Sequence, residues 1–255
     1  TGSYSTSVTT GTDGSATLLA IPAGVYVVRE ESVPEPYIVS NTEQTVALRP
    51  GKTSEVRFQD YQKPGLEILK KNIASGEPIE GVTYLIEQID GSYSTSATTD
   101  SAGRIFLDSI PVGSYRITEK NVPSHVILSE IPQEVYLEAG CTRTVTFFNA
   151  VKPSLTILKR NSVTGDPLSN AKFHIYYGSD NTTTGEINDL GVLTTASDGK
   201  ITLTDVNRGW YKLVEESAPK GFGIQVSGVT EFYLEANTSK TVTVDNVPHL
   251  SLIHI

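Results

Sequence analysis

Short runs in which apolar and polar residues alternate follow one another along most of the chain. Within residues 63–151 these runs lie near 66–72, 82–88, 93–98, 104–107, 113–119, 125–129, 133–138 and 143–149. Turn signals such as Asp90-Gly91 and Ala139-Gly140 separate them. No segment keeps a helical period beyond one turn, whereas a period of two is typical of strands. The pattern predicts an all-β protein made of antiparallel β-sandwiches, prealbumin-like or immunoglobulin-like.

The pattern also repeats along the chain. Residues 2–10 (GSYSTSVTT) match 91–99 (GSYSTSATT), and a constant offset of 89 residues separates Tyr26 from Tyr115. The same offset leads from Lys70 to Lys159 and then grows to 97 at Asn246. The sequence therefore predicts tandem copies of one unit that folds around its own core.

We define three repeats from this register and from the Pro-containing joints after Lys63 and Lys152. Repeat 1 is residues 1–62 and begins part-way through the unit, which suggests an internal fragment of a longer protein. Repeat 2 is 63–151, and repeat 3 is 152–249 with a polar loop insertion near 178–190. Short Pro-containing joints favour an elongated string of domains. Residues 250–255 match nothing in the repeat, and we interpret them as a non-native tail.

In each repeat several strands end on a polar residue that the alternation places among apolar ones. Residues two apart share a face of a strand, so Leu66 and Ile68 assign Lys70 to the core side. The other polar residues placed in this way are Glu119 and Asn149 in repeat 2, Lys159, Glu215 and Asn246 in repeat 3, and Glu30 and Asp60 in repeat 1. Repeat 1 offers no lysine that matches Lys70. The sequence thus predicts a buried Lys, Glu and Asn together in two repeats.

Two interpretations of these polar residues remain open. One is a buried Lys–Glu ion pair with Asn as a hydrogen-bonding neighbour, or strand ends that reach solvent. The other uses the general effect of burial, which lowers the pKa of a lysine and raises that of a glutamate. A neutral lysine is a nucleophile, and a protonated glutamate can polarise the Asn carbonyl and shuttle protons. Attack on the amide carbon then expels ammonia and leaves an isopeptide bond; with an aspartate such as Asp60, water leaves.

Composition narrows the classes of function. A net charge of −9 argues against a non-specific nucleic-acid binder and against a basic membrane-surface protein. We also expect no membrane contact, because no apolar run approaches the roughly 20 residues that span a bilayer. A single cysteine, Cys141, allows no intrachain disulfide, and four scattered histidines show no metal-ligand spacing. We expect no metal and no cofactor.

The motifs of repeat 3 resemble a known domain family. They are Leu155-x-Ile-x-Lys159-x-Asn161, Gly165-x-Pro167-Leu168, Asp198-Gly199, Gly209-Trp-Tyr211 followed by Glu215, Ala218-Pro-Lys-Gly221 and Asp245-Asn246. This combination resembles the B-type repeat of collagen adhesins, also called SpaA-type or prealbumin-like, which builds the stalks and pili of Gram-positive surface proteins. The resemblance covers nearly the whole chain except the tail.

The resemblance assigns roles to the polar residues. It implies that Lys70 and Lys159 are crosslinking amines, Asn149 and Asn246 their acceptors, and Glu119 and Glu215 the catalytic acids. Glu30 and Asp60 match the motif in repeat 1, where the donor lysine is missing. It also implies an extracellular, cell-wall-anchored protein whose signal and anchor lie outside this stretch, and whose partners are neighbouring repeats of the same longer chain.

The leading functional hypothesis is therefore a structural stalk or spacer closed by self-formed bonds. An alternative is that the repeats themselves bind host matrix protein or glycan, for which Trp210, Tyr176 and Tyr177 beside the repeat 3 insertion are weak candidates. An enzyme acting on external substrate is disfavoured, because the sequence offers no exposed acid–base pair and no metal cluster. Isopeptide formation acts once on its own chain and is not turnover.

Overall fold

The computed structural model describes residues 4–178, 187–224 and 228–249. These residues contain β-strands and no α-helix, which confirms the all-β prediction. Most of the repeat 3 insertion, residues 179–186, and the tail, 250–255, lie outside the described residues.

Repeat 1 forms two small pairs of strands. They are β1 (Gly24–Val28), β2 (Tyr37–Ile38), β3 (Gln44–Leu48) and β4 (Tyr61–Gln62). β1 pairs with β3 and β2 with β4, both antiparallel. The predicted strand that ends at Asp60 is wrong, because residues 51–60 form no strand although exposure alternates towards Asp60. In the other repeats that strand pairs with the first strand of the repeat, and residues 4–62 supply no counterpart of it.

Repeat 2 forms two facing sheets. Its strands are β5 (Gly65–Asn72), β6 (Thr83–Gln88), β7 (Ser94–Thr98), β8 (Arg104–Leu107), β9 (Gly113–Asn121), β10 (Gln133–Leu137) and β11 (Thr142–Asn149). One sheet has the order β11-β5-β8 and the other β10-β9-β6-β7. Seven of the eight predicted runs are strands with bounds shifted by at most two residues.

The eighth predicted run, 125–129, is wrong as a strand. Val126 makes only an isolated bridge to Val151, and its backbone N–H donates to the Pro123 carbonyl in a turn. Further along, the Ser129 N–H donates to a side-chain oxygen of Glu119. The run is a loop because its N–H groups go to three separate partners, the Pro123 carbonyl, the Ala150 carbonyl and the Glu119 side chain, rather than to a continuous ladder.

Repeat 3 has the same two-sheet arrangement. Its strands are β12 (Ser154–Asn161), β13 (Lys172–Gly178), β14 (Asn188–Thr194), β15 (Lys200–Leu203), β16 (Gly209–Ser217), β17 (Phe222–Gly223), β18 (Val229–Leu234) and β19 (Ser239–Pro248). The sheets have the orders β15-β12-β19-β17 and β14-β13-β16-β18. β12 and β19 run parallel, whereas the other pairings within these two sheets are antiparallel.

The core of repeat 3 is built from the inward residues of both sheets. It contains Leu155, Ile157, Phe173, Ile175, Tyr211, Leu213, Leu234 and Val242, all buried. These residues alternate with exposed or half-buried neighbours along their strands, as a period of two requires. The polar residue two places beyond such a pair is therefore carried into the apolar interior.

Backbone contacts divide the chain into two compact units. One consists of Thr1–Leu66 with Leu107–Ser114 and Tyr136–Arg143, and the other of the remaining residues. The Lys, Glu and Asn residues of repeats 2 and 3 all belong to the second unit, and Glu30 and Asp60 to the first. Each site can therefore be described within one unit.

Candidate functional site

In repeat 3 the parallel pairing of β12 and β19 brings Lys159 and Asn246 together. Lys159 lies opposite Val244, so Asn246, two residues further on, shares that face of the sheet. The Lys159 amine Nζ donates a hydrogen bond to the Asn246 side-chain oxygen Oδ1. The amine and the amide that the sequence predicts to react are thus in direct contact.

Glu215 reaches the same point from β16 in the facing sheet. Its Oε2 accepts from Lys159 Nζ at 2.9 Å, and its Oε1 accepts from Asn246 Nδ2 at 2.7 Å. Each of the three residues is at most 5% exposed. The Phe173 ring lies on the apolar side of the amine, with its centroid 5.7 Å from Nζ. One carboxylate therefore bridges the amine and the amide in a water-poor interior.

Repeat 2 reproduces the arrangement with Lys70 on β5, Asn149 on β11 and Glu119 on β9. Lys70 Nζ donates to Glu119 Oε2 at 2.6 Å, and Asn149 Nδ2 donates to Glu119 Oε1. All three residues are at most 4% exposed. Asn149 Oδ1 is buried and has no hydrogen-bond partner among the described residues. A buried carbonyl oxygen without a hydrogen bond is uncommon and costs free energy, so the unreacted Asn149 amide destabilises this site.

Burial changes the electrostatics of both amines. It lowers the pKa of Lys70 below 10.5, against the opposite effect of the Glu119 carboxylate. It lowers the pKa of Lys159 in the same way, against the effects of Glu215 and Asp245. The deprotonated, nucleophilic form of each amine is therefore easier to reach than in an exposed lysine.

Repeat 1 places its two acidic residues near one another but less deeply. Glu30 and Asp60 are half-buried, and the Ser40 N–H donates to Glu30 Oε2 at 2.9 Å. Burial first, and then Asp60, raise the pKa of Glu30. Asp60 Oδ1 has no hydrogen-bond partner among the described residues. The acid and the acceptor are thus together, whereas the lysine has no counterpart.

The three candidate binding residues do not form one surface. Tyr177 turns inward, where its ring centroid lies 5.3 Å from that of Tyr211. Trp210 and Tyr176 belong to the other face of the sheet, and Trp210 packs edge-to-face on Tyr233 at 5.6 Å. Trp210 is half-buried in this contact.

Sequence reasoning missed two groups that contact Glu119. The Ser129 N–H donates to Oε1 at 3.1 Å, and the Tyr84 hydroxyl donates to Oε2 at 3.2 Å. The Ser129 contact has a parallel in Ser40 of repeat 1, 89 residues earlier. Positions 84 and 173, at the same offset, differ as Tyr and Phe, but this difference alone does not indicate a contact with Glu119.

The described residues contain no candidate metal site. No group of three or more His, Cys, Asp or Glu side chains in them could hold a metal ion. No helix in the same part of the chain is long and apolar enough to cross a membrane.

Similar solved structures include a Bacillus anthracis protein and two pilins. The Bacillus anthracis TIE protein is 21% identical over 89% of this chain and 42% of its own, with a TM-score of 0.42. The Streptococcal ancillary pilin is 19% identical over 90% of this chain and 76% of its own, with a TM-score of 0.37. The shaft pilin SpaA from Lactobacillus rhamnosus GG is 16% identical over 75% of this chain and 100% of its own, with a TM-score of 0.44. This chain thus spans less than half of the TIE chain.

No curated protein is similar enough in sequence to match the chain. The domain family described as SpaA, prealbumin-like fold domain, matches three stretches of it, residues 1–62, 64–151 and 153–248. These matches extend over nearly the whole sequence and agree with the resemblance seen in its motifs. The chain belongs to the SpaA family of prealbumin-like fold domains.

Proposed function

We propose that this chain is a stalk or spacer segment of a Gram-positive surface adhesin or pilin, and that repeats 2 and 3 each close themselves with a Lys–Asn isopeptide bond. The observation that carries the proposal is the buried Lys–Glu–Asn cluster, present with the same hydrogen-bonded carboxylate in both repeats. Membership of the SpaA family supports the proposed surface location and the proposed role as a spacer. The partners are neighbouring repeats of the same longer chain and, through them, other subunits of a surface polymer.

The bond forms by a balanced acyl transfer. The glutamate takes a proton from the lysine amine, and the neutral Nζ attacks the Asn side-chain carbon Cγ. The protonated glutamate gives this proton to the departing nitrogen and takes the second proton from Nζ as the amide forms, so the glutamate ends protonated and uncharged. The Nζ–Cγ bond forms, the Cγ–Nδ2 bond breaks, and ammonia leaves. Glu215 is suited to both transfers because its two oxygens already contact Lys159 Nζ and Asn246 Nδ2.

The simpler alternative is an unreacted ion pair. Buried ion pairs contribute little net stability, because removing both charges from water costs about as much as their attraction returns. An ion pair alone gives the Asn side chain only its hydrogen bond to the carboxylate, and it does not require the contact between Lys159 Nζ and Asn246 Oδ1. Bond formation replaces the lysine charge and the primary amide by one secondary amide and leaves the glutamate protonated, so no ion pair remains buried.

Repeat 1 does not crosslink in this chain. Glu30 and Asp60 occupy the positions of the acid and the acceptor, while the donor lysine has no counterpart. Repeat 1 is therefore expected to release neither ammonia nor water.

Intact mass spectrometry of the full chain tests the proposal. The wild-type chain is expected to weigh less than its sequence by two molecules of ammonia. Lys70→Ala and Glu119→Ala are each expected to restore one, because each disables repeat 2 alone. Lys71→Ala, at the next residue along β5, is the matched control and keeps the full deficit. A wild-type mass equal to the sequence mass contradicts the proposal and leaves the ion pair.

A further inference from the structure

The two clusters differ at one buried position. Position 84 in repeat 2 is Tyr and position 173 in repeat 3, 89 residues later, is Phe. Tyr84 lies opposite Glu119, and Phe173 lies opposite Glu215, in the same strand pairing. Both rings approach the amine equally, with Nζ to centroid distances of 5.8 and 5.7 Å. The hydroxyl is therefore the main chemical difference at this position.

The Tyr84 hydroxyl acts on the oxygen that Lys70 uses. It donates to Glu119 Oε2 at 3.2 Å, while Lys70 Nζ donates to the same atom at 2.6 Å. Burial, and next the Glu119 carboxylate, raise the pKa of Tyr84, so the hydroxyl stays protonated and remains a donor. A donor to a carboxylate stabilises its charged form and makes that oxygen a weaker proton acceptor.

The surroundings of the amines differ in the same direction. Lys70 also lies 5.8 Å from the ring centroid of Phe147, which favours its charged form. Its neighbour Asn149 Oδ1 has no partner among the described residues, whereas Asn246 Oδ1 accepts from Lys159. The amine of repeat 2 thus makes a shorter contact with its carboxylate than the amine of repeat 3 does, whereas the amine of repeat 3 also contacts the side-chain oxygen of its Asn.

We infer that Tyr84 is a positioning residue that slows isopeptide formation in repeat 2 relative to repeat 3, by holding Glu119 in its charged form. The inference rests on the proposed function, since it concerns the rate of the same bond. The step it affects is the transfer of a proton from Lys70 Nζ to Glu119 Oε2, which must precede attack on Asn149 Cγ.

Reciprocal exchange of the two rings tests the inference. The full chain is made by cell-free translation, quenched in acid at intervals, and digested so that each crosslinked peptide is quantified separately. Repeat 3 is expected to crosslink before repeat 2. Tyr84→Phe is expected to speed repeat 2 by about three- to tenfold, corresponding to part of one hydrogen bond to a charged group. Phe173→Tyr is expected to slow repeat 3 by a similar factor.

The sign of the effect separates this role from packing. A Tyr84 that only fills space predicts unchanged or slower bond formation after Tyr84→Phe, and either result overturns the inference if folding does not limit the rate. If wild-type chain forms no bond in either repeat, the proposed function fails and this inference fails with it. If folding limits the rate, so that both bonds form as fast as the chain folds in every variant, the proposed function stands and the infrared measurement described next decides the inference.

A second measurement covers the case in which folding limits both rates. In Asn149→Ala the acceptor is absent, so Lys70 and Glu119 remain unreacted. Adding Tyr84→Phe to this variant is expected to increase the infrared band of the protonated Glu119 carboxyl group, identified by its loss in Glu119→Gln. An unchanged band overturns the inference.

Discussion

Replacing Asn246 by aspartate separates a covalent bond from an ion pair. The reaction of Lys159 with asparagine releases ammonia, whereas the reaction with aspartate releases water, and the crosslinked product is the same molecule. Asn246→Asp is therefore expected to have the mass of the crosslinked wild-type chain. Asn246→Ala has no acyl carbon for Lys159 to attack and remains open in repeat 3.

The size of the stability difference follows from the loop that the bond closes. Lys159 and Asn246 are 87 residues apart. By analogy with disulfide loop closure, a crosslink of that span stabilises the repeat by about 4–5 kcal/mol. For a domain of this size that corresponds to a shift in Tm of roughly 20 °C or more. Asn246→Ala also removes the hydrogen bond from Asn246 Nδ2 to Glu215 Oε1, so this variant is expected to lose further stability.

The assay combines intact mass with calorimetry of the full chain. Asn246→Asp is expected to keep the wild-type unfolding profile, and Asn246→Ala to move the transition of repeat 3 downward. The transition of repeat 2 serves as the internal control, since its Lys70, Glu119 and Asn149 are unchanged.

One result refutes the reasoning. If Asn246→Asp is heavier than the wild-type chain by the small difference between aspartate and asparagine, neither protein has reacted in repeat 3. A destabilised Asn246→Asp in that state is what a simple ion-pair cluster with an added buried charge predicts.

Two further predictions concern stability. In Asn149→Ala the amine of Lys70 stays unreacted, and its pKa in the folded chain is lower than the 10.5 of the unfolded chain. Between these two pKa values the unfolded chain binds more protons than the folded one, so the free energy of unfolding is expected to rise with pH there. Urea unfolding at several pH values checks this against Asn149→Ala/Lys70→Met, and a parallel pH dependence of the two contradicts it. Gly199 has φ +73°, and a Cβ there would lie 2.7 Å from the Lys159 carbonyl oxygen, whereas a Cβ on Gly165 at φ +78° meets nothing within 4 Å. Gly199→Ala is therefore expected to cost about 1–3 kcal/mol more than Gly165→Ala by chemical denaturation, and equal losses contradict the crowding argument.

The alternation of apolar residues was enough to predict the strands that carry the clusters. Lys70 and Lys159 follow two buried apolar residues at spacing two, and the same spacing holds before Glu119 and Glu215. Since strands have a strict two-residue period, burial of such a position follows from its neighbours without any knowledge of the sheet order. The two-sheet architecture then brings the three strand ends together.

Failures of the prediction have a common physical origin. Residues 125–129 alternate like a strand, yet their N–H groups go to a turn after Pro123, to the Ala150 carbonyl and to the Glu119 side chain rather than to a continuous ladder. Residues 56–60 also alternate but have no strand beside them to pair with. The contact of Tyr84 with Glu119 depends on the side chains of two different strands. Each of these depends on what lies across the sheet, which spacing along the chain does not report.

The parallel pairing of β12 and β19 has a consequence for tension. The chain enters repeat 3 at the start of β12 and leaves it at the end of β19. Because these two strands are parallel neighbours, a force that pulls the two ends apart slides the strands along one another. With Lys159 joined to Asn246, the force passes through the new bond and bypasses the residues between them. The separation of 87 residues corresponds to about 300 Å of extended chain, which an uncrosslinked repeat could release and a crosslinked repeat retains. The repeat then behaves as a link of fixed length.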